Sequence, residues 1–191
     1  VWGVGNRDSN FLNHQSRITN LTLKQQLQNH LQEIAWERDP YMASTGHFFV
    51  QEYIRQQLAQ WGSVEIHTFQ VRGKTCNNLI LNLPAQTQRQ ETKLPPILIG
   101  AHYDGVPYTV AADDNATGVA VLLEFAHSFT QIPARYPLGL VAFDMKEYGL
   151  LGSADYADLL RKQGQPLRLM IALEMLGYQD FTPGWQRYPA F

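Results

Sequence analysis

At 191 residues the chain is long enough for one domain with a substantial core. Its 45% hydrophobic and 17% charged residues are an ordinary globular mix, and a formal net charge of −2 offers no broad pull toward nucleic acid or a membrane surface. No run nears the ~18 apolar residues of a membrane span, no signal-peptide pattern opens the chain, and the single cysteine, Cys76, excludes an internal disulfide. The balance leans toward a cytoplasmic location and leaves it open.

Residues 1–21 carry polar turn-formers (Asn6, Asp8, Ser9, Asn10, Asn13) and read as an irregular arm ahead of a domain over 22–191. Leu23, Leu27, Leu31 and Ile34 have helical spacing, and that helix should stop before Asp39-Pro40. A second helix is expected from about Gly46 to Gln60, with Phe49, Tyr53, Ile54, Leu58 and Trp61 on its stripe. His30 and His47 lie on these helices and read as solvated side chains outside any site. Residues 64–71 alternate as a half-buried strand, turn at Arg72-Gly73-Lys74 and return over 78–83, a hairpin suited to a sheet edge. Gln86 to Lys93 is a polar loop. Residues 97–101 are apolar throughout and therefore suit a central strand. A helix over 116–129, a strand over 138–143, a helix from about Ser153 to Lys162 with Ser153 as its cap, and a strand over 167–173 complete the chain.

Three apolar strands end in polar residues. The first ends in His102-Tyr103-Asp104, the second runs on to Lys146-Glu147, and the third ends at Glu174. His102 and Asp104 share one side of an extended chain, where a carboxylate fixes the imidazole tautomer and frees its other nitrogen for a metal. A hydrogen-bonded structural pair, and a helix cap at Asp114 or Asn115, compete with that reading. The strand–helix alternation brings the three strand ends to one rim of a mainly parallel sheet, and Asp114 reaches it through a loop. One imidazole and three carboxylates together suit two ions ~3.5–4 Å apart under a bridging carboxylate, zinc first, with manganese or cobalt as alternatives.

His102-Tyr103-Asp104, the stretch Ala112 to Gly118, Glu147-Tyr148-Gly149-Leu150-Leu151-Gly152-Ser153 and Leu173-Glu174-Met175-Leu176-Gly177-Tyr178 resemble the co-catalytic zinc aminopeptidases. Glutamate carboxypeptidase and glutaminyl cyclase are relatives of that family. The likeness runs from about Leu23 to Pro189. It implies a three-layer α/β/α sandwich with a mostly parallel mixed sheet, of zinc-exopeptidase type, lacking its last strands and helices. It further implies that His102 and Glu174 bind the first zinc, Asp114 bridges, Glu147 binds the second, and Asp104 orients His102. The implied substrate is a peptide with a free N-terminus.

The chain departs from the family twice. Lys146 occupies the general-base position, where the family has glutamate, and an ammonium cannot take the proton of the attacking water. The histidine that completes the family's second zinc site lies well beyond the Glu174 position, and no histidine follows Glu174 here. One zinc is therefore expected rather than two, and slowed or absent peptidase activity. The chain is read as a fragment or truncated frame, with strand 167–173 exposed for self-association. A catalytically silent binding module on the same fold is the rival, and a glutaminyl-cyclase-like acyltransferase is a third reading. No Gly-x-Ser-x-Gly elbow and no phosphate-binding glycine loop is present.

Overall fold

Apolar residues alternate between the two faces of the central strands, and that alternation sets the layers. The computed structural model describes residues 22–86 and 94–183. β1 (Val64–Val71) and β2 (Lys74–Leu83) form an antiparallel hairpin through Arg72 and Gly73, both at positive φ, the geometry that matches the twist of a hairpin. β3 (Ile97–His102) pairs in parallel with both β4 (Leu138–Phe143) and β5 (Leu169–Ala172), while β2 joins β4 antiparallel. The strand order is β1-β2-β4-β3-β5. All strands but β2 point the same way, which is the mostly parallel mixed sheet expected.

Helix α1 (Leu23–Ile34) packs on α2 (Ser44–Ala59) and α3 (Gly118–Gln131), and these two cover the face that buries Leu79, Leu81, Ile99, Ala101, Leu140 and Ala142. The other face buries Ile80, Leu98, Val141 and Phe143 against Tyr156 and Leu160 of α4 (Leu151–Lys162). Each of these leucine, isoleucine, valine and phenylalanine side chains contributes about 1.5–3 kcal/mol on burial, so the sheet is held from both sides. This is a three-layer α/β/α sandwich. β3 is central and the β1–β2 hairpin takes one edge, as the apolar pattern implied. β5 takes the other edge, and its four residues are exposed.

Several local expectations are corrected. α2 starts at Ser44, and its buried stripe is His47, Val50, Ile54 and Leu58, while Phe49 is exposed. A polar His47 hid the phase of that stripe. Far from being solvated, His47 is buried, places its Nε2 2.8 Å from Asp144 Oδ1, and stacks on Tyr103. His30 is also engaged, between Tyr53 and Glu124. Ser153 lies inside the first turn of α4 and donates to the Leu150 carbonyl; Leu150, at positive φ, takes the cap position without a side-chain cap. α3 begins at Gly118, preceded by an irregular turn over Ala112–Thr117. A Cβ at Gly118 would press on the Leu173 carbonyl, so glycine allows this turn to lie against the end of β5. The expected arm over 1–21 and most of the loop 86–93 lie outside the described residues.

Candidate metal centre

Because β3, β4 and β5 run parallel and in register, their C-terminal ends share one rim. His102 is the last residue of β3 and is buried. Its Nδ1 faces the Asp104 carbonyl at 3.2 Å and Asp104 Oδ1 at 3.3 Å. Its Nε2 points the other way, 2.9 Å from Asp114 Oδ1 and 3.4 Å from Glu174 Oε1. His102, Asp114 and Glu174 each offer one ligand atom, and these atoms lie within 4.8 Å of one another. A mixed imidazole and carboxylate donor set of that size suits one zinc ion.

Glu147 stands outside that group of three. Its backbone N–H donates to Asp104 Oδ2 at 2.9 Å, and its side chain faces the Lys146 ammonium at 3.4 Å. The expected second ligand set is thus Asp114 and Glu147 with a cation already between them. An ammonium supplies charge but no lone pair, so Lys146 is a counter-ion to these carboxylates and not itself a metal ligand.

The structure adds contacts, and one residue, Arg38, that sequence reasoning passed over. Asp104, fully buried, does more than face His102. Its two oxygens accept the backbone N–H groups of Lys146 and Glu147, which ties the end of β3 to the turn after β4. Asn115, the residue read only as a possible cap, does accept Gly118 N–H. It also accepts Met175 N–H and donates to the Leu173 carbonyl and to Glu174 Oε2, so it positions Glu174 from across the rim. Arg38 is completely buried. It donates from Nε to Tyr103 O, from Nη1 to Ile34, Trp36 and Val110 O, and from Nη2 to Ala111 O, which straps down the loop leading to Asp114. Next to it, Asp39 accepts the Tyr148 hydroxyl. No periodicity marks an arginine whose partners are carbonyls 65 and more residues away, apart from its neighbours in the helix end.

Three carboxylates meet at this rim, and two cationic groups face them. Burial works against a charge on His102, yet Asp104 and Glu174 lift its pKa above the ordinary histidine value against the opposing Lys146. Burial favours a neutral Asp114, but Lys146 and His102 outweigh it and hold the carboxyl below its usual range. Lys146 is pulled down by burial and raised further by its hydrogen bond to Glu174 and the charges of Glu147, Glu174 and Asp114, ending well above an ordinary lysine. Burial lowers Arg38 to about 10, where it stays charged at neutral pH.

The layers, the shared rim and its donor set define a class: an α/β protein of the zinc-exopeptidase type. Residues 78–190 match the model of Peptidase family M28, and the chain belongs to that family. It is 44% identical over 108 residues to the uncharacterized protein YfbL of Escherichia coli, covering 50% of this chain and 32% of that one. It is 34% identical over 103 residues to aminopeptidase YwaD of Bacillus subtilis, covering 53% and 23%. A probable zinc metalloprotease of Pyrenophora tritici-repentis is 35% identical over 95 residues, covering 46% and 22%. The matched stretch is therefore a third or less of these relatives' length. In fold, the chain matches a leucine aminopeptidase precursor of Bacteroides thetaiotaomicron (TM-score 0.63, 21% identity, 81% of this chain and 61% of that one). It matches the glutaminyl cyclase of Porphyromonas gingivalis equally well (TM-score 0.63, 24% identity, 81% and 58%). Among the described residues no helix is long and apolar enough to cross a membrane.

Proposed function

We propose that the chain carries the metal centre of an aminopeptidase-type metallopeptidase, with one zinc held by His102, Asp114 and Glu174. Manganese or cobalt would suit the same donors. The observation that carries this reading is the convergence of their three ligand atoms within 4.8 Å. A zinc bound there would supply Lewis acidity toward a peptide carbonyl and a water that deprotonates near neutral pH. The protein's own part is positioning. Asp104 fixes the His102 ring so that Nε2 faces inward, and Asn115 holds Glu174 beside it. The substrate would be a peptide with a free N-terminus.

Lys146 decides the rate. Its ammonium lies 3.0 Å from Glu174 Oε1 and has no acceptor capacity, so no group at the general-base position takes the proton of the attacking water. That observation also favours the second reading, a catalytically silent module that retains the fold and one ion. Hydrolysis of aminoacyl p-nitroanilides by the zinc-loaded chain separates the two. Wild type should be slow or inactive, and Lys146→Glu should be faster by ~10²–10⁴-fold if a base is all that is missing. A variant as silent as wild type would favour the module, and a wild type as fast as the variant would refute this role of Lys146. His102→Ala should abolish whatever activity is found.

A further inference from the structure

We propose that the Lys146 ammonium takes the place of the second cation of a two-ion centre, so that this rim is a one-ion site with a built-in positive charge. The inference rests on the reading of His102, Asp114 and Glu174 as metal ligands. Nζ lies 3.0 Å from Glu174 Oε1, 3.3 Å from Asp114 Oδ1 and 3.4 Å from Glu147 Oε1. Among the described residues Lys146 is the cation paired with Glu147, whose side chain is 15% exposed and needs a counter-charge.

The position of this charge is built into the fold. Lys146 N–H is held by Asp104 Oδ1 at 3.0 Å. The Lys146 carbonyl accepts both Gly149 N–H and Leu150 N–H, closing a tight turn. The backbone is anchored on both sides, so the side chain is delivered to the rim from a fixed root.

Charge balance points the same way. Asp114, Glu147 and Glu174 bring three negative charges, which one divalent ion and one ammonium neutralise. Two divalent ions beside that ammonium would exceed the charge of these three carboxylates by two. The ammonium also touches Asp114 Oδ1 and Glu174 Oε1, the same oxygens that face His102 Nε2. An arriving ion must push Nζ back toward Glu147, so Lys146 both excludes a second ion and weakens the first.

The test is calorimetric titration of the metal-free chain with Zn²⁺, with Co²⁺ absorption as a second readout, on wild type, Lys146→Met, Lys146→Arg and His102→Ala. Thermal melts check that each variant folds. Wild type should bind one ion. Lys146→Met should bind that ion about tenfold or more tightly, take up a second and weaker equivalent, or both, while Lys146→Arg should resemble wild type. Two ions on wild type, or a Met variant unchanged in both number and affinity, would overturn the inference and leave the metal site standing. No binding by wild type and Lys146→Met alike, or binding that survives His102→Ala, would overturn the metal-site reading and this inference with it.

Discussion

Asp104 and Arg38 show how much of the rim depends on side chains that are not themselves ligands. Asp104 serves three N–H groups at once, His102 Nδ1 and the backbones of Lys146 and Glu147. In Asp104→Asn an amide NH₂ replaces one accepting oxygen and confronts one of those donors. We expect zinc affinity to fall by about 10–100-fold by calorimetry, the usual loss for a residue that orients a metal-binding histidine; unchanged affinity would refute the orienting role. Arg38 satisfies five carbonyls from a fully buried position. Arg38→Ala leaves several without a partner and should lower stability in urea by more than about 3 kcal/mol, with Arg38→Lys intermediate because it keeps the charge and loses the fork. A loss under 1 kcal/mol would show that water replaces these bonds at no net cost.

Parallel pairing of β3 with β4 and β5 is what turns three separate sequence motifs into one site. The helix layer over that sheet has its own polar hinge, where His30 of α1 meets Glu124 of α3 at 3.1 Å and Tyr53 of α2 at 2.7 Å. Burial lowers the His30 pKa below the usual histidine value even with Glu124 beside it. The unfolded chain therefore binds more protons than the folded one from about pH 6.5 down to the folded value, and stability falls on acidification through that window. Thermal midpoints between pH 7.5 and 5 should fall less steeply in His30→Gln than in wild type; identical slopes would exclude His30 as the cause. The strands, and the meeting of His102, Asp114 and Glu174 at one rim, were legible in the sequence, because an apolar run ending in a polar residue is a local signal. His47, Asn115 and Arg38 were not legible. Their partners lie 97, 58 and 72 residues away, and a polar residue gives no sign of which distant carbonyl or carboxylate it will meet. A pattern of strand ends gives Glu147 the same standing as Glu174 and does not reveal that its side chain faces the neighbouring Lys146 ammonium at 3.4 Å.

On the scale of the whole molecule, helices cover both faces of the sheet, and among the described residues β5 is an edge strand. Leu169, Met170 and Ile171 are all exposed along an edge strand with no hydrogen-bonded neighbour beyond β3 among the described residues. An exposed apolar edge of this kind favours pairing with another copy. Light scattering should show association that grows with concentration, reduced in Leu169→Lys; a monodisperse monomer at about 100 μM would contradict this. Such association would leave the rim of β3 and β4 unchanged, since His102, Asp114 and Glu174 sit beyond or at strand ends rather than along the edge. The central claim, one ion held by His102, Asp114 and Glu174, is tested most directly by anomalous scattering at the zinc edge from crystals grown with zinc. The account predicts a single peak at this rim, about 2.0–2.2 Å from His102 Nε2 and from carboxylate oxygens of Asp114 and Glu174. No peak at the rim, or a peak coordinated by other residues, would contradict it.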